Sequence, residues 1–303
     1  MNRKKITIGS RGSKLALIYA ERVKKEIQIF YKDEIKIKPI VTSGDQNQKD
    51  RLSDIGGKGL FSKKIEVELL ENKIDIAVHA LKDMPSLETE GLLTDCFLKR
   101  NYPNEILISK NNITLNKLKP QAVVGTSSFR REYQLKNKRG DLNFKLIRGN
   151  VDTRIKKLNE GLYDAIILSK AGVESLNLGD KITEEFSTND IIPSIGQGVI
   201  AIQCRSNDND MIKFLKKINH IETHMCAVAE REVLKILEGD CETAIGAISK
   251  IEGNKINILA ELFSIDGKKR YYLKSSKNIN LSKDLGKEVG KILKEQSKGS
   301  YKK

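Results

Sequence analysis

A chain of 303 residues is longer than one hydrophobic core comfortably supports, so two or three domains are expected. Apolar residues make up 39% and fall in short runs between turn signals, which excludes a disordered or low-complexity chain. A net charge of +15 invites a nucleic-acid partner, yet most of it is lysine placed beside glutamates, and only 5% of residues are aromatic; a solvated surface is the better reading.

The amino terminus is basic, but Arg11 and Lys14 interrupt any apolar core between Met1 and Ala20, and no run reaches membrane-spanning length. Export and membrane insertion are disfavoured. Cys96, Cys204, Cys226 and Cys241 are widely spaced and form no C-x-x-C pair, which suggests neither a zinc site nor a disulfide framework. A cytoplasmic protein without a metal site is expected.

In chain order, Lys5 to Ile8 reads as a strand, Gly9-Ser10-Arg11-Gly12 as a tight loop, and Ser13 as the N-cap of a helix running toward Phe30. Ile35 to Val41 is the next strand, so the three form a parallel βαβ unit whose helix amino terminus suits an anion. The same grammar returns at Ala122 to Ser128, with a helix beginning near Phe129. Glu71 to Val78 also aligns without gaps on Glu160 to Ile167. Two similar α/β domains facing each other across a cleft is the economical reading, although any two βα units share some likeness. Past Pro193, Gly196-Gln197-Gly198 leads into a strand, Val199 to Gln203, that can return the chain to the first sheet. A helix from Ile221 to Leu237 then precedes strands at Ile245 to Ser249, Ile256 to Phe263 and Lys269 to Leu273, a small α+β domain closed by a lysine-rich helix and a frayed tail.

The sharpest local feature is Asp75 to Pro85. Lys82 and Asp83 fall just past a strand end, where doubly wound sheets bind ligands, and Pro85 keeps Met84 extended. Two readings of Asp83 stand open at this point: a surface ion pair with Lys82, or a carboxylate that moves protons and stabilises a developing cation. His79 reads as a core histidine. Gly56-Gly57-Lys58-Gly59-Leu60-Phe61 is either a flap that carries Lys58 into the cleft or a linker with an incidental lysine. Arg130, Arg131, Arg148 and Arg154 place four planar forks near one anion-binding edge. Cys241, in a turn between helix and strand, is the cysteine placed for reactivity; the other three read as small buried hydrophobes.

Taken in series, Gly9 to Ser13, Gly56 to Phe61, Ala77 to Asp83, Gly125 to Arg131, Arg148-Gly149-Asn150, Gly196 to Gly198 and the Cys241 turn resemble the hydroxymethylbilane synthase (porphobilinogen deaminase) family over nearly the whole chain. The resemblance implies an α/β fold of two periplasmic-binding-protein-like doubly wound domains, 1–99 plus 200–217 and 100–199, and a C-terminal α+β domain, 218–303, carrying a dipyrromethane cofactor on a thioether to Cys241. It implies a transferase of porphyrin biosynthesis that joins four porphobilinogen molecules head to tail, with loss of ammonia, and releases the linear tetrapyrrole. Asp83 would be the catalytic carboxylate. Arg11, Ser13, Lys58, Lys82, Thr126, Ser128, Arg130, Arg131, Arg148 and Arg154 would surround cofactor and substrate carboxylates. A monomer is implied, with transient handover of product to a uroporphyrinogen III synthase. The chain departs from the family pattern at Ala80 for serine, Ser175 for arginine, Gln203 for glutamate, Asp240 for glycine and Ala244 for proline.

Overall fold

The computed structural model of the chain describes residues 3–42, 59, 61–240 and 243–302. Strand β1 (Lys5–Arg11) leads into helix α1 (Lys14–Phe30) and strand β2 (Glu34–Ile40). Ser13 caps α1 through a hydrogen bond accepted from Ala16 N at 3.4 Å, and Tyr19, Ala20, Val23 and Ile27 recur at helical spacing on its buried face. The expected loop at Gly9 to Gly12 is corrected: β1 stays paired to β2 through Arg11. Gly9 pairs with Lys38 on β2 and Ala77 on β3, and glycine fits there because a Cβ would stand 2.3 Å from Ile74 Cδ1, a contact between segments far apart in sequence.

Next come α2 (Lys63–Leu70), β3 (Ile76–Ala80), a single 3₁₀ turn at Leu81–Asp83, and β4 (Leu92–Phe97). The chain then crosses to a second sheet built from β5 (Glu105–Ser109), β6 (Val123–Gly125), β7 (Asn143–Lys145), β8 (Ala165–Ser169) and β9 (Glu184–Glu185). Helices α3 (Phe129–Lys138), α4 (Val151–Asn159) and α5 (Lys170–Ser175) lie between these strands. It returns as β10 (Ile200–Arg205), inserted between β3 and β4.

The first sheet has the order β2-β1-β3-β10-β4 and the second β7-β6-β8-β5-β9. In each, the first three strands are parallel and the last two run antiparallel to their neighbours. The internal likeness extends to single bonds. Asp75 N donates to Thr7 O at 2.8 Å while Thr7 N donates to Asp75 Oδ2 at 2.7 Å; Asp164 and Val123 repeat both bonds at the same lengths. Asn72 and Gly161, which the sequence alignment superposes, both take positive φ, at 59° and 88°. Shared topology and shared turn chemistry make the two units structural repeats.

After α6 (Asn209–Leu215), helix α7 (Ile221–Leu237) and helix α8 (Ser282–Ser297) pack together over an antiparallel sheet of β11 (Ile245–Glu252), β12 (Lys255–Phe263) and β13 (Arg270–Asn278). The helices touch closely at Gly286, where a Cβ would stand 2.1 Å from Ala229 O. β13 runs further than expected because Ser275 and Ser276 carry no apolar signal, although the backbone ladder continues to Asn278. The tail is not frayed as far as Lys302: Tyr301 is buried and its hydroxyl donates to Leu237 O at 3.1 Å. Among the described residues, no helix is long and apolar enough to cross a membrane.

Glu230 of α7 joins this third unit to both crossovers. Arg100 donates Nη1 to Glu230 Oε1 at 2.8 Å and Nη2 to Oε2 at 2.7 Å, Gly196 N donates to Oε2 at 2.9 Å, and Ser249 N to Oε1 at 2.8 Å. One fully buried carboxylate thus holds the outgoing segment, the returning segment and β11.

Candidate active site

Between the two five-stranded sheets lies a cleft of about 570 Å³, its walls set at the strand ends and helix starts where this architecture binds ligands. The first unit contributes Arg11 from the end of β1, Ser13 to Leu15 from the start of α1, and Lys82 and Asp83 from the 3₁₀ turn after β3. The second contributes Arg131, the turn Arg148-Gly149-Asn150 and the first turn of α4 with Arg154. Among the lining residues described, Arg11, Lys14, Lys82, Arg131, Arg148 and Arg154 are cationic, against the carboxylates of Asp83 and Asp152. The cleft is therefore made for an anion of several charges.

Backbone geometry reinforces this. α1 and α4 present their amino termini from opposite walls, and Asn150, the N-cap of α4, makes no side-chain cap bond to the first-turn amides. Gly149 has φ +112°, and a Cβ there would meet Thr153 Cγ2 at 2.8 Å, so the turn between Arg148 and α4 requires glycine. Arg154 Nε donates to Gly149 O at 2.8 Å and Lys157 Nζ to Arg148 O at 3.0 Å, which fixes the turn to the helix.

Asp83 is 38% exposed at its side chain, and its Oδ2 lies 3.9 Å from Arg11 Nη1. Arg11 in turn covers the Phe61 ring at 4.1 Å. Met84 is extended at φ −84°, ψ 144°, as Pro85 demands, and this holds the turn carrying Asp83. Lys82 reaches across the cleft: its Nζ donates to Ser169 Oγ at 3.2 Å, at the end of β8, and to Gln197 Oε1 at 3.3 Å, in the returning crossover. Burial and the neighbouring Arg131 bring the Lys82 ammonium down to about 8, opposed by Asp83 and Glu105. Burial, Arg131 and Arg148 similarly bring Arg154 down to about 10. Burial and the Asp83 charge push the Tyr19 hydroxyl up to about 12, while a hydrogen bond with Ser175 opposes them.

Seven of the residues expected at the site line the cleft: Arg11, Ser13, Lys82, Asp83, Arg131, Arg148 and Arg154. Thr126 and Ser128 stand behind it and shape the start of α3, since Thr126 Oγ1 accepts from Ser128 N at 3.1 Å and Ser128 Oγ from Arg131 N at 3.4 Å. Arg130 is turned away, donating to Ile192 O at 2.6 Å and Glu105 Oε1 at 2.5 Å. Consecutive residues of a helix point about 100° apart, and here Arg131 lines the cleft while Arg130 runs to Ile192. The expected group of four forks is three at the cleft and one behind it. Lys58 and Cys241 lie outside the described residues; beside Cys241, Asp240 Oδ1 accepts from Thr243 N at 3.2 Å. His79 is buried in β3, and its imidazolium is pulled down to about 4 chiefly by burial. The thiols of Cys96, Cys204 and Cys226 are buried and all raised by that burial, Cys204 to about 11 and Cys226 to about 12.

Sequence reasoning missed Lys14, Ser127 and Ser169 on the cleft wall and Gln197 beneath Lys82. Ser169 was legible in principle, since it ends β8 as Ala80 ends β3 in the aligned repeat.

The family model described as "Porphobilinogen deaminase, dipyromethane cofactor binding domain" matches residues 6–213, and "Porphobilinogen deaminase, C-terminal domain" matches residues 224–295. The porphobilinogen deaminase of Staphylococcus carnosus is 41% identical over 296 residues, covering 97% of this chain and 96% of that protein. That of Syntrophomonas wolfei is 39% identical over 292 residues, covering 96% and 95%. Among solved structures, the periplasmic aliphatic sulphonate binding protein SsuA from Escherichia coli aligns at 12% identity and a TM-score of 0.44, covering 77% of this chain and 70% of that one. With cleft, family matches and full-length relatives all in agreement, this protein belongs to the porphobilinogen deaminase family.

Proposed function

We propose that this chain is a hydroxymethylbilane synthase: four porphobilinogen molecules and one water give the linear tetrapyrrole hydroxymethylbilane and four ammonia. The observation that carries the reading is the pairing of one half-exposed carboxylate, Asp83, with a cationic wall drawn from both repeats. Each pyrrole bears an acetate and a propionate, so a lengthening chain gathers carboxylates and needs cations distributed along the cleft.

The residues present suit a dipyrromethane. Among the described residues, six cationic side chains surround a cleft of about 570 Å³, and the buried Nε of Arg131 has no hydrogen-bond partner. When bound through Cys241, that group supplies the nucleophilic pyrrole carbon that primes the chain. Arg131, Arg148 and Arg154 would hold its carboxylates, with Thr126 and Ser128 fixing the backbone from which Arg131 springs. Arg11, Ser13 and Lys82 would hold those of the incoming porphobilinogen, and Lys58 would join them from its loop. Loss of ammonia leaves the substrate's methylene carbon electron-poor and its ring cationic. Asp83 stabilises that charge, then accepts the proton released when the new carbon–carbon bond forms.

In this reading the chain divides into 1–99 plus 200–217, 100–199 and 218–303, with the third part carrying Cys241 to a cleft formed by the other two. It works as a cytoplasmic monomer, passing its product transiently to a uroporphyrinogen III synthase. Intact-mass spectrometry of the purified wild type and of Cys241→Ser tests the proposal: added mass consistent with two pyrrole units is expected on the first and not on the second. A wild type of unmodified mass that releases no ammonia from porphobilinogen would overturn it.

A further inference from the structure

Behind the cleft, two guanidinium groups converge on a carboxylate that does not line it. Glu105, the first residue of β5, is fully buried. Its Oε1 accepts from Arg130 Nη2 at 2.5 Å, and its Oε2 lies 2.7 Å from Arg131 Nη2. Arg130 is held off the cleft by its further bond to Ile192 O. Arg131 also donates Nη1 to Ile167 O at 3.2 Å, so its fork is fixed from the rear by two strands of the second sheet while the side chain faces the cleft.

The fixed fork is the centre of the local field. Both Lys82 and Arg154 have their ordinary basicity reduced by burial and by Arg131. Among the described residues, the charges acting most on Lys82 are Arg131 and Arg130, which disfavour its ammonium form, and Asp83 and Glu105, which favour it. Its nearest polar partners, Ser169 and Gln197, are uncharged. Burial opposes ionisation of Glu105 itself, but Arg131, Arg130 and Lys82 hold it down to about 2, so it stays anionic at any working pH.

We propose that Glu105 is a positioning residue of this reaction: from behind the cleft it aims the Arg131 fork at the substrate carboxylates and shields Lys82 from Arg131. The inference rests on the cleft's being the porphobilinogen site. Arginine does not give up its proton, so if the Glu105 charge is removed, lysine is the member of the cluster able to relieve the repulsion. A neutral Lys82 no longer attracts a carboxylate. Because Lys82 acts only when protonated, kcat/KM falls as pH rises through its pKa, about 8 in the wild type. Loss of the Glu105 charge removes a contribution that raises that value, so the fall comes at lower pH.

The test is the pH profile of kcat/KM for porphobilinogen in the wild type, Glu105→Gln and Glu105→Asp, with circular dichroism to establish folding. In Glu105→Gln the alkaline limb is expected about one pH unit lower. In Glu105→Asp, which keeps the charge but draws it back from Arg131, the limb stays in place and KM rises. A folded Glu105→Gln with an unmoved limb overturns the proposal, whatever its melting temperature. Should Glu105→Gln fail to fold, Glu105→Asp decides: a raised KM supports the proposal and a wild-type KM overturns it. A wild type inactive on porphobilinogen would instead defeat the functional reading beneath it.

Discussion

Asp83 lacks the burial of Glu105, and among the described residues its ion-pair partner, Arg11, stands 3.9 Å away with both side chains meeting solvent. At that separation and exposure the pair contributes little to stability, which leaves the carboxylate available to a cationic substrate. Asp83→Asn is therefore expected to fold as the wild type does while losing about 10²–10⁴-fold in ammonia release, the usual range for a positioned acid–base group. Steady-state rates beside circular dichroism check this, and wild-type turnover would remove Asp83 from the chemistry. The residue types of the site were legible in the sequence, because arginine and aspartate at strand ends and helix starts carry a chemical meaning of their own. Direction was not. Arg130 and Arg131 are equivalent as letters, and only the 100° turn between them, read against the placement of β5, sends one to the cleft and the other to Ile192.

At the scale of elements, the sequence carried α1, α3 and α7 and the return of β10 to the first sheet, because Ser13, Ser128 and the recurring apolar positions are local signals, while β4, β5 and β9 went unread. It mistook the end of β1 for a loop because Gly9 and Ser10 have no strand propensity of their own; β2 and Ile74 decide their conformation. The bonds across the cleft from Lys82 to Ser169 and Gln197, separated by 87 and 115 residues, had no local signature at all. The same holds for Glu230, whose partners come from three segments. Replacing it with glutamine leaves Arg100 buried without its counter-charge, and a loss of about 3–5 kcal/mol is expected. Urea denaturation measures this directly, and a loss below 1 kcal/mol would mean that the buried junction relaxes freely.

For the whole molecule, the second sheet is built without interruption from β5 to β9, whereas the first is completed by a strand from beyond it: β10 follows the second sheet in the chain but joins the first. β10 is central, paired with β3 on one side and β4 on the other, and Ile200 and Ile202 fill the first core. A fragment of residues 1–99, the first unit alone, therefore lacks the strand that joins β4 to its sheet. Such a fragment is expected to show no cooperative thermal transition by circular dichroism; a sharp transition would show that the first sheet closes without β10.

The interleaving also bears on how the protein is made. A ribosome delivers the chain from its amino terminus, and domains commonly settle as they emerge. Here β3 and β4 leave the ribosome with facing edges unpaired and keep them so while a further hundred residues are translated, until Ile200–Arg205 arrives. The first sheet to be started is completed only after the second, and throughout that interval two apolar strand edges are open to wrong partners, which makes nascent-chain protection a requirement written into the strand order.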